Sequence, residues 1–259
     1  MSPLLRLMVA AAIEAGDEIE AIYGARCATE IKSDGSPVTE ADRRAEAIIL
    51  GALTGAYPDI PVLAEEEACA GRIPQLGNRF FCVDPLDGTR GFVARTGEFT
   101  VNIALIEGGA ATAGVIYVPD SRMLYYGQVG ESAFRRSREG APERLATRTP
   151  PAAGLTVLAS RTTADVTRAK LAHLDVAQFL PSSSSLKFCL LAEGCADLYP
   201  RYGRTMEWDT AAGQAILEAA GGRVMALDGD REAGPLRYGK AAGGFENPHF
   251  IAWGRCPGI

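Results

Sequence analysis

The hexapeptide Asp84-Pro85-Leu86-Asp87-Gly88-Thr89 sets two carboxylates beside a proline, a glycine and a hydroxyl. Asp84 closes a hydrophobic run. Pro85 removes a ladder donor and predicts a turn, and that turn returns Asp87 to the side of Asp84. Two carboxylates and the amides of Gly88 and Thr89 then share one concave corner. Hard divalent cations such as Mg²⁺ take oxygen ligands of this kind, completed by water and phosphate oxygens, and amides that follow a glycine suit a phosphate. Asp, Pro and Gly are also what ordinary β-turns are made of, and the hexapeptide alone reads equally well as one.

Other acidic sites shift that balance. LAEEE places Glu65, Glu66 and Glu67 at the end of another strand-like run, Asp42 follows SPVTEA at a helix start, and Asp209 in EWDTAAG stands at a second helix start. Each alone is an ordinary cap or a solvated charge. Together they form the acidic cluster that two-metal phosphate chemistry requires, in which paired ions generate a nucleophile and clamp the attacking and leaving oxygens.

The elements that must position these residues follow from spacing. Ser2-Pro3 caps an amphipathic helix whose Leu4, Leu5, Met8, Val9, Ala12, Ile13 and Ile19 recur at helical intervals. A short strand at Thr29-Glu30-Ile31 leads into a polar loop, SDGSPVT. Thr39 and Asp42 then form a capping pair for a helix through Ile48, Ile49 and Leu53. Pro61 to Ala64 and Phe80 to Val83 read as strands that end in carboxylates. The segments TVNIALI, TAGVIYV and RMLYYG read as an antiparallel meander. Pro and Gly cluster in RTPPAAG at 148–154, which marks a boundary. Beyond it come a strand LTVLA, helices at Ala164 to Leu174 and LKFCLLAEG, a strand ADLYP, and a helix from Thr210 to Ala220 stopped by Gly221-Gly222. The expected fold is mixed α/β, with an α+β half over residues 1–150 and an α/β half over residues 151–259.

Composition removes several classes of function. The 259 residues carry 26 Lys+Arg against 32 Asp+Glu, net charge -6, without a basic run that could follow a polymeric nucleic acid. Hydrophobic content of 47% with 22% charged residues is that of a globular chain with a proper core. The six cysteines include no CxxC pair, so zinc-finger and thioredoxin spacings are absent and reduced, mostly buried thiols are expected. No apolar stretch approaches the ~20 residues of a transmembrane span, and acidic residues within the first helix argue against a signal peptide. A soluble cytoplasmic protein is expected.

IKSDGSPVTEAD, LAEEE, DPLDGT and WDTAAG, in this order, resemble the lithium-sensitive, magnesium-dependent inositol monophosphatase superfamily. GEFTVNIALI and SSLKFCLLAEGCADLYPR further resemble its 3'(2'),5'-bisphosphate nucleotidases of the CysQ type. The likeness spans nearly the whole chain and is weakest between Val129 and Gly154 and after Val224. It implies a layered αβαβα sugar-phosphatase fold. It further implies two or three Mg²⁺ ions held by Glu65, Asp84, the Leu86 carbonyl, Asp87 and Asp209, with Asp87 and Asp209 serving the second ion. Thr89 and Asp42 would orient and deprotonate the attacking water, with Glu65 close to it, and the amides of Gly88 and Thr89 would hold the phosphate. Ser184, Lys187 and Arg201 would face the ribose or the remaining phosphate. A Lys point charge and an Arg fork suit a second anionic group, although Lys187 snorkelling on an apolar helix and Arg201 in a surface ion pair are the plain alternatives. Lys32 and Asp34 would approach the metals from the preceding loop. The implied reaction is hydrolysis of the 3'-phosphate of adenosine 3',5'-bisphosphate, a by-product of sulfate assimilation, with Li⁺ inhibition, in a monomer or homodimer. Related nucleotidases associate with the inner membrane face, but no anchor is visible here.

Competing readings are weaker. Cys195 and Arg201 have the Cys-x5-Arg spacing of cysteine phosphatases, but CADLYPR lacks the glycines that curl amides around phosphate. Asp84 and Asp87 do not match the DxD spacing of haloacid-dehalogenase-type phosphatases. GxxxxGK[ST] is absent, and neither His173 nor His249 lies near a nucleophile motif. An inositol or fructose-bisphosphate phosphatase would share the same metals with different substrate contacts. An inactive binding module is the alternative of another class, and the presence of every motif carboxylate argues against it.

Overall fold

The computed structural model describes residues 1–24, 29–31, 37–160 and 164–255. Lys32 and Asp34, like Cys27 and Cys256, lie outside the described residues. The chain opens with α1 (Pro3–Tyr23), whose N-cap Ser2 accepts the Leu5 amide at 3.2 Å. Then come β1 (Thr29–Ile31), β2 (Pro37–Thr39), α2 (Glu40–Ala56), β3 (Val62–Ala64), α3 (Glu65–Cys69), β4 (Arg79–Asp87) and α4 (Thr89–Val93). The meander follows as β5 (Thr100–Glu107), β6 (Ala110–Val118), β7 (Met123–Gln128), β8 (Ala133–Ser137) and β9 (Glu143–Arg144). Next are β10 (Leu155–Ala159), α5 (Ala164–Lys170), β11 (Val176–Pro181), α6 (Leu186–Ala192), β12 (Leu198–Arg201) and α7 (Ala211–Ala219). The chain closes with β13 (Arg223–Asp228), β14 (Arg231–Pro235), a 3₁₀ turn (Ala241–Gly243) and β15 (Phe250–Trp253).

Strands β3 to β9 pair in sequence order as one sheet, and a second sheet runs β11-β10-β12-β15-β13-β14. Successive side chains of a strand point to opposite faces, and the first sheet is apolar on both. Val101, Ile103 and Leu105 of β5 pack with Met8, Ile19, Ile49 and Leu53 of α1 and α2. Ala104 and Ile106 face Phe188, Ala212 and Ile216 of α6 and α7, in a cluster that continues to Leu158, Tyr199 and Phe250 of the second sheet. The far face of that sheet, through Val157, Leu198 and Trp253, covers Leu171 just after α5. Helices, sheet, helices, sheet and helix therefore stack in the αβαβα order expected from the resemblance.

Several local expectations change. Pro85 does not turn the chain back: β4 continues to Asp87, with a register shift between Asp84, opposite Asn102, and Asp87, opposite Thr100. One extra residue at this bulge accommodates a proline that has no amide to donate, and both carboxylates lie at this end of the sheet. Pro37–Thr39, expected as loop, pairs antiparallel with Thr29–Ile31. The helix expected through Leu174 ends at Lys170, and β11, β13, β14 and β15 carry edge or tertiary pairings that local patterning did not indicate. Cys82 and Cys189 are buried, whereas Cys69 and Cys195 are exposed.

Close packing of the helix layer depends on Gly213, the glycine of WDTAAG. A Cβ there would lie 2.3 Å from the Phe188 ring. Gly213→Ala is expected to destabilise the protein by about 1–3 kcal/mol through overpacking, measured by denaturant unfolding.

Candidate functional site

The site is assembled from chain segments that end near one another. β3 leads directly into α3, so Glu65 stands at a strand-to-helix junction. Asp84 and Asp87 flank the β4 bulge, and Asp209 lies in the turn before α7. Glu65, Asp84 and Asp209 each offer a carboxylate oxygen, and these oxygens lie within 4.8 Å of one another. Three carboxylates at this separation repel one another unless a cation sits among them, and all-oxygen donors suit a hard divalent ion. Burial, with the charges of Asp87 and Glu65, pushes the Asp209 carboxyl well above the ordinary aspartate range.

Each aspartate is aimed by a donor. The Leu86 amide donates to Asp84 Oδ1 at 3.0 Å, and the Met206 amide to Asp209 Oδ2 at 2.8 Å. Asp87 Oδ2 accepts both the amide and the hydroxyl of Ser185, at 2.6 and 2.8 Å. The same hydroxyl lies 2.8 Å from the Asp209 carbonyl and accepts from Asn102 Nδ2 at 2.9 Å. Ser185 thereby joins β4, β5 and the turn before α7. Glu207 is fully buried and accepts the amides of Gly239 and Lys240 at 2.7 and 2.8 Å, which ties the Asp209 turn to the loop after β14.

Asp42 is buried in the first turn of α2. Its Oδ2 closes the capping box with the Thr39 amide and hydroxyl, each at 2.7 Å. Its Oδ1 lies 3.0 Å from the Thr89 hydroxyl, which also approaches the Leu86 carbonyl at 3.2 Å. Thr89 and Asp42, which the resemblance assigns to the attacking water, are thus in contact across 47 residues of chain. Gly88 has φ 95°, and a Cβ there would meet the Glu98 carbonyl at 2.7 Å, so no other residue fits this corner.

Ser184, Lys187 and Arg201 are less uniformly disposed. Ser184 packs against Gly88 with φ 50°, a left-handed conformation that costs a serine on the order of 1 kcal/mol. Its hydroxyl shares a 3.3 Å hydrogen bond with Thr100. Lys187 is 3% exposed. Its ammonium donates to the Ser184 and Ser182 carbonyls at 2.7 and 3.5 Å and lies 5.0 Å from the Tyr199 ring centroid. Desolvation, reinforced by Arg201, pulls it down to about 8. Arg201 donates through Nη2 to the Arg204 carbonyl at 2.8 Å, while its buried Nε has no partner among the described residues.

Ser185, Asn102 and Glu207 escaped sequence reasoning. The run of four serines at 182–185 was the available signal for Ser185, but the family resemblance pointed only to its neighbour Ser184. The Cys195 alternative loses ground, since burial and then Glu193 raise its thiol, the reverse of a reactive cysteine. His173 and His249 are exposed.

The chain matches the inositol monophosphatase family over residues 1–252. The 3'(2'),5'-bisphosphate nucleotidase CysQ of Salmonella typhimurium is 45% identical over 212 residues, covering 81% of this chain and 85% of the relative. Its Escherichia coli K12 counterpart is 41% identical over 241 residues, covering 91% and 94%. The crystal structure of CysQ from Bacteroides thetaiotaomicron superposes with a TM-score of 0.77 at 37% identity, covering 96% of both chains. No helix among the described residues is long and apolar enough to cross a membrane.

If the three carboxylates are held together against their repulsion, removing one charge should relieve the metal-free protein. Asp209→Asn is expected to raise the metal-free Tm by a few degrees and to abolish the upward shift that Mg²⁺ gives the unaltered protein, both measured by scanning calorimetry.

Proposed function

The chain belongs to the inositol monophosphatase family, and from that premise we propose that it hydrolyses the 3'-phosphate of adenosine 3',5'-bisphosphate to AMP and phosphate. The observation that supports this most directly is the convergence of Glu65, Asp84 and Asp209 beside the hydrogen-bonded Thr89 and Asp42. The 41–45% identity to CysQ bisphosphate nucleotidases supports the substrate class. In this reading Glu65, Asp84, the Leu86 carbonyl, Asp87 and Asp209 hold Mg²⁺. The bound ions supply an acidified water and neutralise charge on the phosphate. Li⁺ held by the same carboxylates would inhibit.

The residues of the chain then have separate tasks. Thr89 Oγ1 accepts a hydrogen bond from the attacking water while giving its own proton toward Asp42 Oδ1. Asp42 stays in place because its other oxygen closes the cap of α2. The amides of Gly88 and Thr89, at the start of α4, hold the phosphate. Arg201, as the guanidinium fork nearest Lys187 in the proposed contact set, meets the second phosphate. Lys187 supplies buried positive charge behind it and holds the strained Ser184 backbone through the carbonyl.

A sugar phosphatase is the second reading, and one observation favours it: Lys187 already gives hydrogen bonds to two carbonyls. Phosphate release from adenosine 3',5'-bisphosphate, inositol 1-phosphate and fructose 1,6-bisphosphate, with EDTA and Li⁺ controls, separates the two. A strong preference for the nucleotide, lost in EDTA, is expected; preference for a sugar phosphate would overturn the substrate and keep the metals. Asp87→Asn is expected to lower kcat by several orders of magnitude.

The lowered Lys187 adds a pH signature. Below about 8 the ammonium is charged, and above it the charge is lost. Since kcat/KM reports the free enzyme, kcat/KM for the bisphosphate is expected to fall as pH rises through this value. The corresponding fall should be absent for a monophosphate and in Lys187→Ala. Parallel profiles for both substrates would remove Lys187 from substrate recognition.

A further inference from the structure

We propose that Glu46 is a positioning residue for Glu65, acting as a helix cap supplied from a different helix. This rests on the reading of Glu65 as a metal ligand. α3 is five residues long, and its N-cap, Ala64, has no side chain able to receive the amides at the helix start. A helix leaves its first amides without internal partners, and unmet amides at a buried end are costly. Here the amides of Glu66 and Glu67 donate to Glu46 Oε2 and Oε1 at 2.8 and 3.0 Å. One carboxylate 3% exposed thus takes both amides that follow Glu65.

The choice of residue is expensive. Glu46 stands among Glu65, Glu66 and Glu67, and a serine or threonine at position 64 would cap α3 locally without adding a further negative charge. What a local cap cannot do is tie α3 to α2. Glu46 lies one turn after Asp42, so the two project from the same side of the helix. Asp42 grips Thr89, and Glu46 grips the amides adjoining Glu65. A single rigid helix therefore sets the distance between the water-orienting pair and a metal ligand. Small errors in such a distance are costly to catalysis, whereas a helical turn holds it without slack.

The test is calorimetric titration of the metal-free full chain with Mg²⁺, using Glu46→Gln, which cannot accept from both amides, and Glu46→Asp, which keeps the charge but is one methylene shorter. A folded variant is expected to bind Mg²⁺ about ten-fold or more weakly, as when partners that orient metal ligands are removed. Its kcat should fall at subsaturating metal, with KM for adenosine 3',5'-bisphosphate at saturating metal nearly unchanged. Adding Ala64→Ser to Glu46→Gln, which restores a local cap without the tie to α2, should recover thermal stability more than metal affinity. An unaltered Mg²⁺ isotherm in a folded Glu46 variant, whatever its Tm, overturns the proposal, and so does failure of both Glu46 variants to fold, which would assign the residue to the fold alone. Glu65→Ala is titrated alongside: if it binds Mg²⁺ like the unaltered chain, the metal-ligand reading itself fails, independently of Glu46.

Discussion

Mutual repulsion among Glu65, Asp84, Asp87 and Asp209 is the constraint around which this molecule is arranged. Like charges so close oppose the folded state unless a cation joins them, and the Asp209 carboxyl is raised first by burial and then by its charged neighbours Asp87 and Glu65. The fold overcomes it with a buried core on both faces of the first sheet and with a donor for each aspartate. Leu86 N–H, Ser185 and Met206 N–H each fix one carboxylate oxygen and so aim the group. Hydrogen bonds to carboxylates are stronger than those between neutral groups, which makes them suited to holding charge in place.

The layered architecture is what makes such aiming possible from distant segments. β4 runs between β3 and β5, so the carboxylates at its end meet the start of α3 on one side and Thr100 and Asn102 on the other. α6 and α7 lie between the two sheets, and their N-terminal approaches deliver Ser185 and Asp209 to the same corner. Gly213 permits the close approach of α7 to Phe188 of α6. A helix layer held a fraction of an ångström farther out would move the Asp209 turn relative to Asp84.

Several groups do structural and site work together, which blurs any division between scaffold and chemistry. Asp42 caps α2 with one oxygen and meets Thr89 with the other. Ser184 holds a strained backbone while its carbonyl anchors Lys187, and Lys187 keeps its ammonium at the cost of desolvation. At Ser184 and Lys187 strain and desolvation are both held in place by the surrounding fold.

Local chemistry was legible wherever the signal was local. The capping pair of Thr39 and Asp42, the carboxylates at the end of β3, and the alternation of the meander all follow from period and propensity, and they match the strand-to-helix junction at Glu65 and the start of α2. The four ordered motifs carried the family and with it the layered fold. The tertiary structure alone decided that Pro85 sits in a bulge, that Ser185 grips Asp87, and that Glu207 anchors the turn of Asp209. It also decided that Lys187 is turned onto backbone carbonyls. A residue type states which hydrogen bonds it can make, but its partner depends on which distant backbone the packed layers bring within 3 Å or so, and that distance is a property of the whole core.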